Sequence, residues 1–138
     1  MMNTTNVAYG QNPVKAYAKV GLETQVLAAS PEELITIMLE ATQSCVMKAK
    51  LYFQSGDIAK RGENISKAIS IIDSGLIPGI DESSGEAARN MILSFRLMSQ
   101  QLLLASVNQE ASHLDTVEKM LDDITSAWKT ATANKPRK

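Results

Sequence analysis

His113 and Cys45 are the only histidine and the only cysteine in the 138-residue chain. That limits the chemistry the chain can do more than any motif extends it. A thiol nucleophile or an imidazole base works only with an oriented partner. Cys45 falls on the apolar face of a helical pattern, where a lone cysteine serves as a small core side chain. His113 stands near a helix start and is expected as a solvent-exposed turn residue. The Glu-x-x-His pairs that build di-iron sites in helix bundles are absent. A metal would therefore depend on carboxylates alone, and none occupies a core position. Asp122-Asp123 and Glu32-Glu33 read as helix-surface and helix-start charges. Gly75, Gly79 and Gly85 are too scattered to cradle a phosphate. The expectation is a protein that is not an enzyme and that uses no metal and no cofactor.

Composition points the same way. One ordinary domain fits this length, and 44% hydrophobic residues supply a core and argue against wholesale disorder. Aromatics are only 4%, so that core must be aliphatic and methionine-rich. A net charge of −1 gives no footprint for nucleic acid or an anionic membrane. The basic stretch 134–138 is too short to be more than a solvated tail. The opening residues are polar with no apolar h-region, and no apolar run approaches the roughly 20 residues that span a bilayer. A soluble cytoplasmic protein is expected, with no membrane insertion.

Helices must carry whatever the chain does. Residues 1–12 lack periodicity and read as a flexible arm. Val14, Tyr17 and Val20 recur three apart and predict a short helix before Gly21. Ser30, Pro31 and Glu33 then form a capping box with proline at the first helical position. The first long helix runs to about residue 53, with one stripe of Leu34, Met38, Cys45, Ala49 and Tyr52 and a second of Ile35, Leu39, Val46 and Phe53. Gly56 and Asp57 end it and cap the next. That second helix, 57–74, lines Ile58, Ile65, Ile69, Ile72 and Leu76 on one face. Three glycines and Pro78 predict a connection over 75–85. Ser83 and Glu86 offer another capping box ahead of a third helix, 86–108. After a reset at 108–112, a fourth helix shows Leu114, Val117, Leu121, Ile124, Trp128 and Ala131. No segment reads as a strand. The fold expected is all-α: an antiparallel four-helix bundle with a short extra N-terminal helix, occupying residues 13–132.

The third helix carries more apolar surface than its neighbours should cover. Ala88, Met91, Phe95, Met98, Leu102 and Ala105 already make a face, and Ile92, Leu93, Leu97, Leu103 and Leu104 lie beyond it. Methionines at 38, 47, 91, 98 and 120 add adaptable surface. A groove able to hold an amphipathic helix is the functional expectation.

Several ordered segments resemble the flagellin export chaperone family (FliS). They are 15–20 (Lys-Ala-Tyr-Ala-Lys-Val), Glu23-Thr24, 28–39, Gly56-Asp57, 65–69, 71–76, 85–90, 95–98, and finally Leu114, Val117, Glu118, Leu121 and Ala127-Trp128-Lys129. Together they span about 14–129. The resemblance implies a cytoplasmic bundle that binds the disordered C-terminal segment of flagellin, prevents early polymerisation and delivers it to the flagellar type III export gate. It also implies that the N-terminal segment covers part of the groove, which by position points to Val14 and Tyr17. The chain departs from the family pattern at Glu40-Ala41-Thr42, at Ser84 to Ala88, and at Ser94 to Met98. These departures imply a divergent member that serves a particular flagellin or a second flagellar system. A helical adaptor for another secretion or regulatory protein is the alternative.

The residues expected at the partner surface are Val14 and Tyr17 for the lid and Ile65, Ile69, Ile72, Met91, Leu97 and Met98 for the groove. Periodicity alone leaves open which helix faces form the groove and which the core. The assembly expected is a monomer or weak homodimer.

Overall fold

The chain was analysed as a computed structural model that describes residues 28–133. The first long helix, α1 (Pro31–Ser55), starts on the predicted capping box. Glu33 N–H donates to Ser30 Oγ at 3.1 Å, and Ser30 N–H donates back to Glu33 Oε1 at 2.9 Å. Two amides that lack helical partners are thereby satisfied. At the other end Gly56 takes φ +75°, a left-handed conformation that suits glycine. Asp57 then caps α2 (Ile58–Ile71), its carboxylate accepting from Lys60 N–H at 3.1 Å.

Past α2 the structure departs from the expected connection. The helix does not stop at Gly75. It widens into a π-helical turn, Ile72–Leu76, and closes with one more α-turn, Ile77–Gly79. The π-turn shifts the hydrogen-bond register, with Ile77 N–H reaching Ile72 C=O, and Pro78 enters the helix just after it. Helix propensity predicted a break here, and packing overrode it. A Cβ on Gly75 would lie 2.5 Å from Met38 Sδ, and one on Gly79 would lie 2.9 Å from Ile35 Cδ1. Both glycines mark where α1 passes close to the end of α2. Only a short link remains, containing the 3₁₀ turn Glu82–Ser84.

The second capping box is not formed. Ser83 sits inside that 3₁₀ turn, and its N–H and hydroxyl both donate to Asp81 Oδ1. The N-cap of α3 (Glu86–Asn108) is Gly85, with φ +140° and no side-chain cap. Asp81 was already placed to accept from Ser83, and Ser83 was thereby removed from the helix start. Helix α3 ends at Gln109, a left-handed residue with φ 56° that carries no glycine signal. The last helix is α4 (Ser112–Ala133).

From Ile35 onward these helices enclose an aliphatic core. Ile35, Leu39, Val46 and Ala49 enter it from α1, spaced four, seven and three apart. The stripe through Met38 and Cys45 lies at its edge, so of the two predicted stripes the second is the deeper one. Phe95 from α3 is the largest fully buried side chain, surrounded by leucine, isoleucine and methionine. Helices α3 and α4 pack against each other. The contacts between α1 and α4 run in opposite senses along the two helices, from Thr36–Trp128 to Lys50–Asp115, so these helices are antiparallel. The architecture among the described residues is an all-α bundle of four long helices. The predicted short N-terminal helix, the arm 1–12 and the tail 134–138 lie outside the described residues.

The glycines of α2 make a paired stability test. Nothing lies near a Cβ on Gly62, so Gly62→Ala should raise stability by about 0.5–1 kcal/mol through helix propensity. Gly75→Val should lower it by about 1–3 kcal/mol, because Met38 and the π-turn leave no room. Urea denaturation of both variants checks the pair, and a stabilising Gly75→Val would refute the close approach.

Candidate partner-binding surfaces

Two surfaces stand out once the core is assigned. The first is the seam between α1 and α4, which is bridged by polar side chains. Lys50 Nζ reaches Glu118 Oε1 at 2.8 Å and Asp115 Oδ1 at 2.9 Å. Gln43 Nε2 donates to Asp122 Oδ1 at 3.1 Å, and Lys129 Nζ meets Glu40 Oε2 at 2.9 Å. Trp128 Nε1–H donates to Thr36 Oγ1 at 3.1 Å. These residues recur at one-turn and two-turn spacings on each helix, so one face of α1 addresses one face of α4 along its length. Between the rungs lies a shallow pocket of about 220 Å³, lined by Gln43, Val46, Met47, Glu118, Leu121 and Asp122.

Hydrogen bonds to Glu118 and Asp115 hold the Lys50 ammonium well above the ordinary lysine range. Burial pushes the Cys45 thiol up, with Lys67 and Lys48 opposing it more weakly. A thiol held in its protonated form is a poor nucleophile, consistent with a packing role at the core edge. His113 is not the free turn residue expected from sequence. It lies in α4, half-buried, with Nδ1 2.9 Å from Gln101 Oε1, and so ties α4 to α3. Among the described residues no group of three or more His, Cys, Asp or Glu is placed to hold one metal ion. No helix among them is long and apolar enough to cross a membrane.

The second surface is the outer face of α3. Of the seven large hydrophobic side chains exposed among the described residues, Leu93, Leu97, Leu103 and Val107 belong to this helix. Of the apolar surplus read from sequence, Leu93, Leu97 and Leu103 are exposed surface, Leu104 is half-buried and Ile92 joins the core. Met47, Leu51 and Ile58 are the other three, near the α1–α2 turn and the seam.

The residues expected at a groove separate into three groups. Ile65, Ile72 and Met98 are buried in the core and present no surface in this structure. Ile69 and Met91 are half-buried and pack against that core from its edge. Leu97 is exposed and outside the core cluster. The six differ in depth because a 3.6-residue period cannot tell a face turned inward from one turned outward. Val14 and Tyr17 lie outside the described residues. The seam went unnoticed in the sequence, although its signal was there in the alternation of Glu40, Gln43 and Lys50 against Asp115, Glu118, Asp122 and Lys129.

A helical bundle whose ionisable groups pair at its surface and whose spare surface is apolar belongs to the class of binding proteins. Comparison with known proteins specifies the class. The family model described as "Flagellar protein FliS" matches residues 13–135. The flagellar secretion chaperone FliS of Salmonella typhimurium is 39% identical over 122 residues, covering 88% of this chain and 90% of the relative. The protein of the same name from Escherichia coli is 34% identical over the same shares of the two chains. The flagellar secretion chaperone FliSB of Pseudomonas aeruginosa is 31% identical over 121 residues, covering 87% of this chain and 95% of the relative. The chain belongs to the FliS family, a family of flagellar secretion chaperones.

Two measurements test the seam. Lys50 is 29% exposed at its side chain, so Lys50→Met should cost about 0.5–1 kcal/mol at neutral pH. Because the folded pKa of Lys50 is raised, its contribution is fully present below the unfolded lysine value and is lost as pH rises beyond about 10.4. The gap between wild type and variant should therefore narrow above that pH in denaturant titrations; a gap that widens contradicts the assignment. Thr125 Oγ1 is buried without a hydrogen-bond partner. Thr125→Val should leave stability unchanged or raise it by up to about 1 kcal/mol, and a clear loss on thermal melting would show that the hydroxyl is used.

Proposed function

We propose that this protein holds the disordered C-terminal segment of flagellin in the cytoplasm, keeps it from polymerising prematurely and delivers it to the flagellar type III export gate. The observation that carries the reading is the family match across residues 13–135, with relatives whose names describe flagellar secretion chaperones. The surface chemistry supports it. A disordered client loses ordering entropy on binding, so it needs a wide apolar contact and not one deep pocket. Exposed leucines on α3, Met47 and Leu51 on α1, and Ile58 at the start of α2 provide such contacts on several sides of the bundle.

In this reading Leu97 contacts the client, Ile69 and Met91 form the edge of its path, and Val14 and Tyr17 cover part of that path when no client is bound. Ile65, Ile72 and Met98 support it from the core. The protein works as a monomer or weak homodimer, without catalysis, a cofactor, nucleic acid or insertion into a membrane. The departures at Glu40 to Thr42 and at Ser94 to Met98 belong to a member with its own flagellin preference.

Co-purification separates this reading from an adaptor that serves another protein. Full-length flagellin from the same genome should be retained, and flagellin lacking its C-terminal segment should be lost from the complex by at least about tenfold in affinity. Equal retention of both forms, or of neither, would overturn the proposed client contact.

A further inference from the structure

The outer face of α3 combines apolar exposure with a one-sided charge. Leu93 is 56% exposed, Leu97 46%, Leu103 55% and Val107 69%. These residues fall within one arc opposite the buried Phe95, Met98, Leu102 and Ala105, with Ile92 at its border. From Leu93 to Val107 the stripe extends about 21 Å, or four turns. After Glu86 the helix contains no carboxylate as far as Asn108, and its only charges are Arg89 and Arg96. Neither arginine makes an ion pair among the described residues. The carboxylate bonded to this helix from a neighbour is Asp73, which accepts from Ser99 Oγ at 2.7 Å.

We infer that the outer face of α3 is a docking track for an acidic amphipathic helix of a protein partner. Its occupant has apolar residues at i, i+3 or i+4, and i+7, to pack between Leu93, Leu97, Leu103 and Val107. It carries flanking carboxylates about seven residues apart to meet Arg89 and Arg96, which are themselves two turns apart on one line of the helix. Charge selects this occupant. An apolar stripe alone accepts any greasy helix, whereas two unpaired arginines beside it favour carboxylates and repel lysines. A second copy of this chain fits less well. Two α3 faces crossing at their midpoints would bring Arg96 of both copies together and supply no carboxylate. The inference rests on the proposed client contact at Leu97 and adds the charge of the segment that this face accepts.

The test uses the full-length protein and two fluorescein-labelled 16-residue peptides. Both carry leucines at helical i, i+4, i+7 and i+11 spacing; one has flanking glutamates and the other has lysines in their place. Fluorescence anisotropy should show the glutamate peptide binding at least about tenfold more tightly than the lysine peptide. Arg96→Glu, which leaves Arg89 as the one cation of the track, should erase that preference. The double variant Leu97→Ser, Leu103→Ser should weaken both peptides, while circular dichroism and the thermal midpoint stay close to wild type because both side chains are exposed. Equal binding of the two peptides, no binding of either, or indifference to the α3 substitutions overturns the inference. So does concentration-dependent self-association that Leu97→Ser abolishes, because the stripe would then belong to a second copy. A flagellin complex that still depends on the C-terminal segment, alongside a failed peptide test, would leave the chaperone reading standing and remove only this track.

Discussion

The close passage of α1 over the end of α2 is the contact on which the rest of the bundle depends. Met38 and Ile35 sit where side chains on Gly75 and Gly79 would be. That fit lets α2 continue as a π-turn and a last α-turn instead of ending at Gly75. The continuation has structural consequences. It carries Ile72 and Leu76 into the core, where both are fully buried. It also brings Asp73 within hydrogen-bonding reach of Ser99 on α3 and shortens the link to α3. Had the chain broken at Gly75, Leu76 would be in a loop and the core would lack a fully buried side chain.

This passage also explains where the sequence misled. Glycine and proline are read as punctuation because their local cost inside a helix is high. At Gly75 and Gly79 that cost is offset by contacts with residues some forty positions earlier, which no local window contains. Ser83 and Glu86 failed for a related reason. The pattern of a capping box was present, but Asp81 competed for the same serine two residues away. Local rules succeeded wherever nothing distant intervened: the Ser30–Glu33 box, the Gly56–Asp57 junction, and the limits of α3 and α4. The α3 surplus was legible because its leucines outnumber the positions a buried face can use. Which of Ile65, Ile69, Ile72, Met91, Leu97 and Met98 face inward was not legible, because that depends on the rotation of each helix about its axis.

The α1–α4 seam gives two of the departures from the family pattern a structural role. Glu40 pairs with Lys129 across it. Thr42, fully buried, returns its hydroxyl to Met38 C=O at 2.8 Å, so it costs no unsatisfied donor. Polar rungs of this kind add little stability individually. They do favour one register, since a slide of one turn would separate Glu40 from Lys129 and Lys50 from Asp115 and Glu118. An aliphatic core with few aromatic shapes specifies alignment weakly, and the seam supplies the alignment that the core leaves loose.

A secretion chaperone must offer surface to a client without aggregating, and α3 combines exposed apolar side chains with interrupting polar ones on one helix. Its exposed leucines are interrupted by Arg96 and Gln100, so the stripe never becomes a continuous greasy patch. The buried side of the same helix is anchored through Phe95, Met98 and Leu102, so the exposed side is presented on a rigid element whose residues need no ordering when a partner arrives. The ordering cost then falls on the partner alone. That division suits a protein that must release what it binds: a preformed surface of modest, dispersed contacts holds a client through area, and loses it in stages as the area is peeled away.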